Sequence, residues 1–159
     1  MAEPTHVEVV AALERAPSIV VPLVREVPGH LLKRRPLPGK WSAHEHACHL
    51  AAVQPMLMER LALMLEQEKP PIRGYQPERE HAPDALLAVD LDEALDRFQR
   101  ERAELVTRLR PLTPGQWKRT GVHEEYSHYS IFIMIRHIAL HDMLHSYRIE
   151  ECLLKKEWA

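Results

Sequence analysis

Apolar residues along this chain recur at intervals of three and four, the period of an amphipathic helix, and alternating β-branched runs are scarce. Four long segments carry that period. The first covers about residues 5–27 and contains Pro17 and Pro22, so it reads as a broken, kinked helix. The second opens sharply: Ser42 is an N-cap, Glu45 three positions on completes a capping box, and Trp41 stands where a hydrophobic staple belongs. It is expected to reach about Glu68, where Pro70-Pro71 stop it, and to bend one turn after His49 because Pro55 removes the bond to the Ala51 carbonyl. The third spans about Leu91–Leu109, with Leu91, Leu95, Phe98, Leu105 and Leu109 on one stripe. Arg102 lies near the centre of that stripe, so its guanidinium either finds a buried partner or a wet pocket, or bends out to solvent while its stem packs. Ser130 caps the fourth, which runs to about Lys156.

Residues 69–90 form a proline-rich connection (Pro70, Pro71, Pro77, Pro83) too long for a passive link in a small bundle, and such segments often act as lids over a site. Thr113 to Trp117 reads as a cap and a short turn, followed by an irregular stretch to Tyr129. Four helices and one long crossover predict an all-α fold, a four-helix bundle occupying residues 1–159 as a single domain.

Composition excludes several classes. Net charge is −2, and the one basic patch, Lys33, Arg34, Arg35 and Lys40, sits among prolines, so no nucleic-acid partner is expected. The longest apolar runs are far too short to span a bilayer, and the N-terminus lacks the features of a signal peptide, so the expected location is cytoplasmic. Two cysteines, Cys48 and Cys152, are too few for a disulfide scaffold and are expected to be reduced and structural.

Histidine is the compositional oddity, at 11 of 159 residues. On the last helix His137, His141 and His145 are spaced by four, a stripe that drifts by roughly 40° per step and shares its face with Met134, Ile138 and Cys152. The stripe is therefore expected to face inward. On the second helix His44 projects outward, His46 sits mid-face with Leu50, Val53 and Leu57, and His49 lies at the edge of that face. Two imidazoles one turn apart can chelate one ion, and a third from the facing helix leaves coordination positions open for water, as in a catalytic metal site. The alternative is a set of core histidines bonded to carbonyls or to one another.

Two motifs resemble the DinB/YfiT-like superfamily of four-helix metalloproteins. Trp41-Ser42-Ala43-His44-Glu45-His46-Ala47-Cys48-His49-Leu50 is similar to the family's Trp-Ser-x-x-Glu-x-x-x-His-Leu, and His141-Asp142-Met143-Leu144-His145-Ser146-Tyr147-Arg148-Ile149 to its His-x-x-x-His-x-x-Gln-Ile. The resemblance implies one divalent ion, zinc or nickel, on His49, His141 and His145, the set that spacing also selects, with His137 one turn away. It also implies a homodimer. Relatives include transferases and isomerases that use low-molecular-weight thiols. Gln54 stands where relatives often carry an acid, and Arg148 where they often carry Gln.

Two functions follow as expectations. One is a metal-dependent enzyme acting on a small molecule, a thiol transferase or a hydrolase, in which His137 shuttles a proton and Arg148 anchors an anionic substrate. Arg148 can equally pair with a neighbour such as Glu151. The other is a non-catalytic metal-binding module that stabilises the bundle or a dimer. An open pocket at the histidines favours the enzyme; a closed site favours the module.

Overall fold

The computed structural model describes residues 5–156. Four long helical rods form the bundle: α1 (His6–Glu26), the pair α2 (Ala43–Ala52) and α3 (Gln54–Glu66), α5 (Leu91–Leu109) and α7 (Ile131–Leu154). Two short helices, α4 (Pro77–Glu80) and α6 (Pro114–Trp117), lie in the connections. α1 packs on α5 and α7, and α2 packs on the same two helices. No described helix is long and apolar enough to cross a membrane.

The caps explain where these helices begin. Ser42 Oγ accepts from the Glu45 amide at 3.2 Å and the Glu45 carboxylate accepts from the Ser42 amide at 3.1 Å, closing the expected box. Ser130 accepts from the Ile133 amide, Asp90 from the Glu93 amide, and Thr113 caps α6 in a second box. Glu45 is also held by Arg35 through two bonds of 2.8 Å, and Arg35 reaches Asp84 at 2.9 Å. Burial pushes the Glu45 carboxyl up, but Arg35 and Ser42 outweigh it and the net shift is downward.

Pro55 does more than bend its rod: the helix is interrupted at Val53 and restarts with the proline in its first turn, where a missing N–H costs nothing. The first helix corrects the expectation of a break. α1 continues through both Pro17 and Pro22. Pro17 cannot donate to the Leu13 carbonyl, and Arg102 Nη1 donates to that oxygen instead, at 3.1 Å.

The apolar core falls into two clusters. One gathers Val9, Leu13, Leu57, Leu61, Leu105, Leu109, Met134 and Ile138. The other gathers Val20, Val24, Leu50, Leu95, Phe98, Ile149 and Cys152. Burying each such large side chain is worth roughly 1.5–3 kcal/mol. Between the clusters runs a polar layer built on Arg102, whose guanidinium turns inward rather than out to solvent. Its guanidinium is 1% exposed, bonds both oxygens of Asp142 at 2.5 and 3.0 Å, reaches Gln54 Oε1 at 3.2 Å, and lies over the Phe98 ring.

The 69–90 connection is more ordered than a structureless link. Besides α4 it holds a 3-10 turn at Ala85–Ala88 and a two-residue strand, β1 (Pro71–Ile72), that pairs in parallel with β2 (Val122–His123). The Val122 amide donates to Pro70 O at 2.8 Å and the Glu124 amide to Ile72 O at 2.9 Å. Gly121 permits this approach, since a Cβ there would come within 2.7 Å of Ile72 Cγ1. The clamp fixes both irregular segments beside the histidines.

Candidate metal centre

His49 comes from the last full turn of α2, just before the interruption at Val53; His141 and His145 come from successive turns of α7. One nitrogen from each of the three lies within 4.8 Å of the others. His49 Nε2 is 3.0 Å from His141 Nε2, which is 3.1 Å from His145 Nε2. Protons alone serve this arrangement poorly. A neutral Nε2 offers either one N–H or one in-plane lone pair, and His141 Nε2 faces two neighbours at hydrogen-bonding range. An ion with nitrogens at about 2.1 Å in tetrahedral geometry holds them about 3.4 Å apart, so small shifts would seat one. The donor set fits a borderline divalent cation.

The support around the three rings is uneven. His145 Nδ1 lies 2.8 Å from His46 Nδ1, so His46 orients that ring in the way outer partners orient metal-binding histidines. His49 Nδ1 and His141 Nδ1 are buried with no hydrogen-bond partner among the described residues. Trp41 packs its indole against His46, His49 and His145, with ring centroids 5.5, 4.9 and 6.0 Å away. The staple position therefore also walls the site. Burial is the largest cause of low basicity in all four rings: His49 is pushed down to about 2, His141 and His145 to about 3, and His46 to about 4. All four are neutral near pH 7, the form that binds a cation.

The connection contributes Tyr75, whose ring lies 5.8 Å from that of His49 and whose hydroxyl is 3.0 Å from His81 Nε2. A pocket of about 100 Å³ opens beside His141, lined among others by Arg60, Tyr75, His123, Tyr126, Tyr129 and His137. Arg60 donates to the Tyr129 hydroxyl at 2.9 Å and to the Arg73 carbonyl. A wider groove of about 790 Å³ reaches the other side of the cluster at Trp41 and His46, with Leu37, Lys40, Tyr147 and Arg148 among its walls.

Several expectations change in detail. His44 does not project outward: it is 3% exposed, and its Nε2 is 3.1 Å from the Leu86 carbonyl, because the 3-10 turn of the crossover covers that face of α2. His137 is exposed rather than inward, since the drift of the four-residue spacing carries it out of the core. It faces Tyr126 across 5.6 Å, on the wall of the small pocket. Arg148 pairs with Glu151 at 2.8 Å on the surface of the groove. Cys48 and Cys152 are buried and outside any disulfide, and burial pushes the Cys48 thiol up to about 12 and the Cys152 thiol upward as well, so neither is an activated nucleophile.

His46, Tyr75 and His81 are the members that sequence reasoning did not place at the site. His46 carried a signal, since it stands four positions after the cap, where a staple partner for Trp41 belongs. Tyr75 and His81 lie in a segment without periodicity.

The solved structures include one whose fold this chain shares closely. YfiT from Bacillus subtilis, described as a probable metal-dependent hydrolase with an unusual four-helix bundle topology, matches with a TM-score of 0.85 over 99% of this chain and 95% of that one, at 22% identity. No curated protein matches the chain. The family model of the DinB superfamily matches residues 12–147, which include all three converging histidines. The chain belongs to the DinB superfamily.

Proposed function

We propose that this chain is a metal-dependent hydrolase that binds one divalent ion, zinc or nickel, through His49, His141 and His145. The observation that carries the reading is the convergence of three Nε2 atoms, from buried His49 and His145 and half-buried His141, with separations of 3.0 and 3.1 Å. The description of YfiT as a probable metal-dependent hydrolase supports it. So does the pocket at His141, since an ion that only braces a fold is closed off by protein ligands. A divalent cation supplies Lewis-acid polarisation and makes a small nucleophile available at neutral pH.

The chain's own residues would do the rest. His46 fixes the ring of His145, and Trp41 shields the cluster from bulk water. Arg60, braced by Tyr129, presents positive charge to a polar group of the substrate. His137, one turn from His141 and open to solvent, carries a proton between pocket and bulk.

The groove at Trp41 and His46 favours a second reading, transfer to a low-molecular-weight thiol. Lys40 and Arg148 stand on its walls, and a thiol's carboxylate would compete with Glu151 for Arg148. The test loads the protein with zinc or nickel and assays small esters, amides and electrophiles with and without added thiols, using His141→Ala as control. Metal-dependent turnover without thiol supports hydrolysis. Turnover only with thiol supports transfer. No turnover by loaded protein across the panel overturns both in favour of a non-catalytic module.

A further inference from the structure

The small pocket beside His141 is lined by hydrogen-bond donors for which the protein supplies no acceptor. Arg60 stands half-buried on its wall and makes no ion pair among the described residues. Its partners are neutral oxygens, the Tyr129 hydroxyl at 2.9 Å and the Arg73 carbonyl. They engage two of the five N–H groups of a guanidinium. Arg60 also lies over the Tyr129 ring, 5.8 Å from its centroid, and Tyr129 is buried. These contacts fix the cation in place without neutralising it.

Tyr129 and His123 add a second and a third donor. The Tyr129 oxygen accepts from Arg60, so its own proton is left for another acceptor. His123 Nδ1 accepts from the amides of Glu125 and Tyr126 at 3.0 and 3.3 Å. That nitrogen therefore carries no proton, and the neutral ring holds its proton on Nε2, which no described residue accepts. Burial, and after it the positive charge of Arg60, push both His123 and His137 below their ordinary value.

We infer that this pocket seats the carboxylate of the substrate, and that the substrates are small carboxylic acids whose hydrolysed bond lies within a few atoms of that carboxylate. The hydrolysed bond rests on the hydrolase reading above; the carboxylate seat rests on the donors alone. A planar carboxylate can take two parallel N–H bonds from a guanidinium and further bonds from a hydroxyl and a ring N–H. Size and charge narrow the choice. The pocket of about 100 Å³ holds on the order of three waters at ~30 Å³ each, enough for a carboxylate and a carbon or two. Glu125 stands on the same wall, its carboxylate accepting from Gln76 at 2.6 Å, and repels a second negative charge. One arginine beside that glutamate suits a monoanion better than a phosphate dianion. Val53, Met134 and Ile138 give the carbon skeleton an apolar wall. His141 borders the same space, so the atoms next to the carboxylate come beside the converging imidazoles. Arg60 and Tyr75 also line a neighbouring cleft of about 480 Å³, which has room for the rest of a larger acid.

The test is a magnetic-resonance titration of the ¹⁵N-labelled full chain at pH 7 and constant ionic strength, both metal-free and zinc-loaded. The probes are acetate, acetamide (its uncharged match) and inorganic phosphate. Acetate should shift the amides of Glu125 and Tyr126, which report on His123, with a dissociation constant on the order of 1–10 mM in both forms of the protein. Acetamide and phosphate should bind at least about tenfold more weakly. Arg60→Gln should weaken acetate about tenfold or more, and Tyr129→Phe about threefold. Acetate binding of this kind by a chain that turns over no ester or amide supports the seat and counts against hydrolysis alone. Equal binding of acetate and acetamide, tighter binding of phosphate, or no binding by the parent chain overturns the inference. So does acetate binding that requires zinc and ignores Arg60→Gln, since the metal alone then holds the anion. The comparison of probes on the parent chain decides the matter even if Arg60→Gln fails to fold.

Discussion

Arg102→Met is the perturbation whose cost can be worked most fully from the structure. The guanidinium is almost completely buried, and it serves Asp142 twice, Gln54 once and the Leu13 carbonyl once. Methionine fills much of the volume but satisfies none of these groups. Breaking a buried pair from one side costs about 3–5 kcal/mol because the remaining charge stays desolvated. In a domain of this size that corresponds to a fall in Tm of roughly 6–20 °C. Asp142→Leu should cost about as much by leaving the guanidinium alone. The double variant Arg102→Met, Asp142→Leu removes both charges and should be less destabilised than either single variant. Urea denaturation of the four proteins, all without metal, gives the cycle. A single-variant cost under about 1 kcal/mol, or a double variant whose loss equals the sum of the two, would refute the claim that this pair joins α1, α3, α5 and α7 through one buried network.

Other outcomes follow from the site and its surroundings. His46→Ala should weaken metal binding about 10- to 100-fold in chelator competition, because it frees the His145 ring, and an unchanged affinity would show that the 2.8 Å contact orients nothing. His44→Ala should cost about 1–3 kcal/mol through the stranded Leu86 carbonyl and leave metal affinity as it was; lost metal with unchanged stability would contradict the placement. The metal-free protein should lose stability as pH falls. His46, His49, His141 and His145 have folded values depressed to between about 4 and about 2, so the unfolded chain binds more protons below the ordinary 6.5. Their contribution is intact above pH 6.5 and declines as pH drops toward those folded values, and a flat stability profile between pH 6.5 and 4 would count against four buried neutral rings.

Local chemistry carried far in this sequence. Ser42 with Glu45, Ser130 and Thr113 mark helix starts by their own hydrogen bonds, so those boundaries could be read without tertiary information. The long stripes of α5 and α7 likewise declared which faces were buried, and Arg102, a charge on such a stripe, left open a buried partner, a wet pocket or a bend out to solvent and did not identify Asp142. Apart from His137, which the drift of its own helix carries outward, what failed depended on distant neighbours. His44 looks outward when α2 is considered alone and is buried only because the crossover folds its 3-10 turn onto that face. α1 looks broken at Pro17 until Arg102 supplies the missing donor. The β1–β2 clamp joins two-residue strands some fifty positions apart, too short for any period to register.

The central claim is that three histidines from two helices hold one ion, and metal stoichiometry tests it most directly. The wild-type chain and His141→Ala should each be stripped, reloaded with excess zinc or nickel, desalted and measured by elemental analysis, with circular dichroism confirming that both are folded. The account predicts one ion per wild-type chain and nearly none in the folded His141→Ala protein, since losing one of three imidazole ligands leaves two that cannot retain the metal through desalting. Full retention by His141→Ala, or a wild-type chain that keeps neither metal, would contradict it.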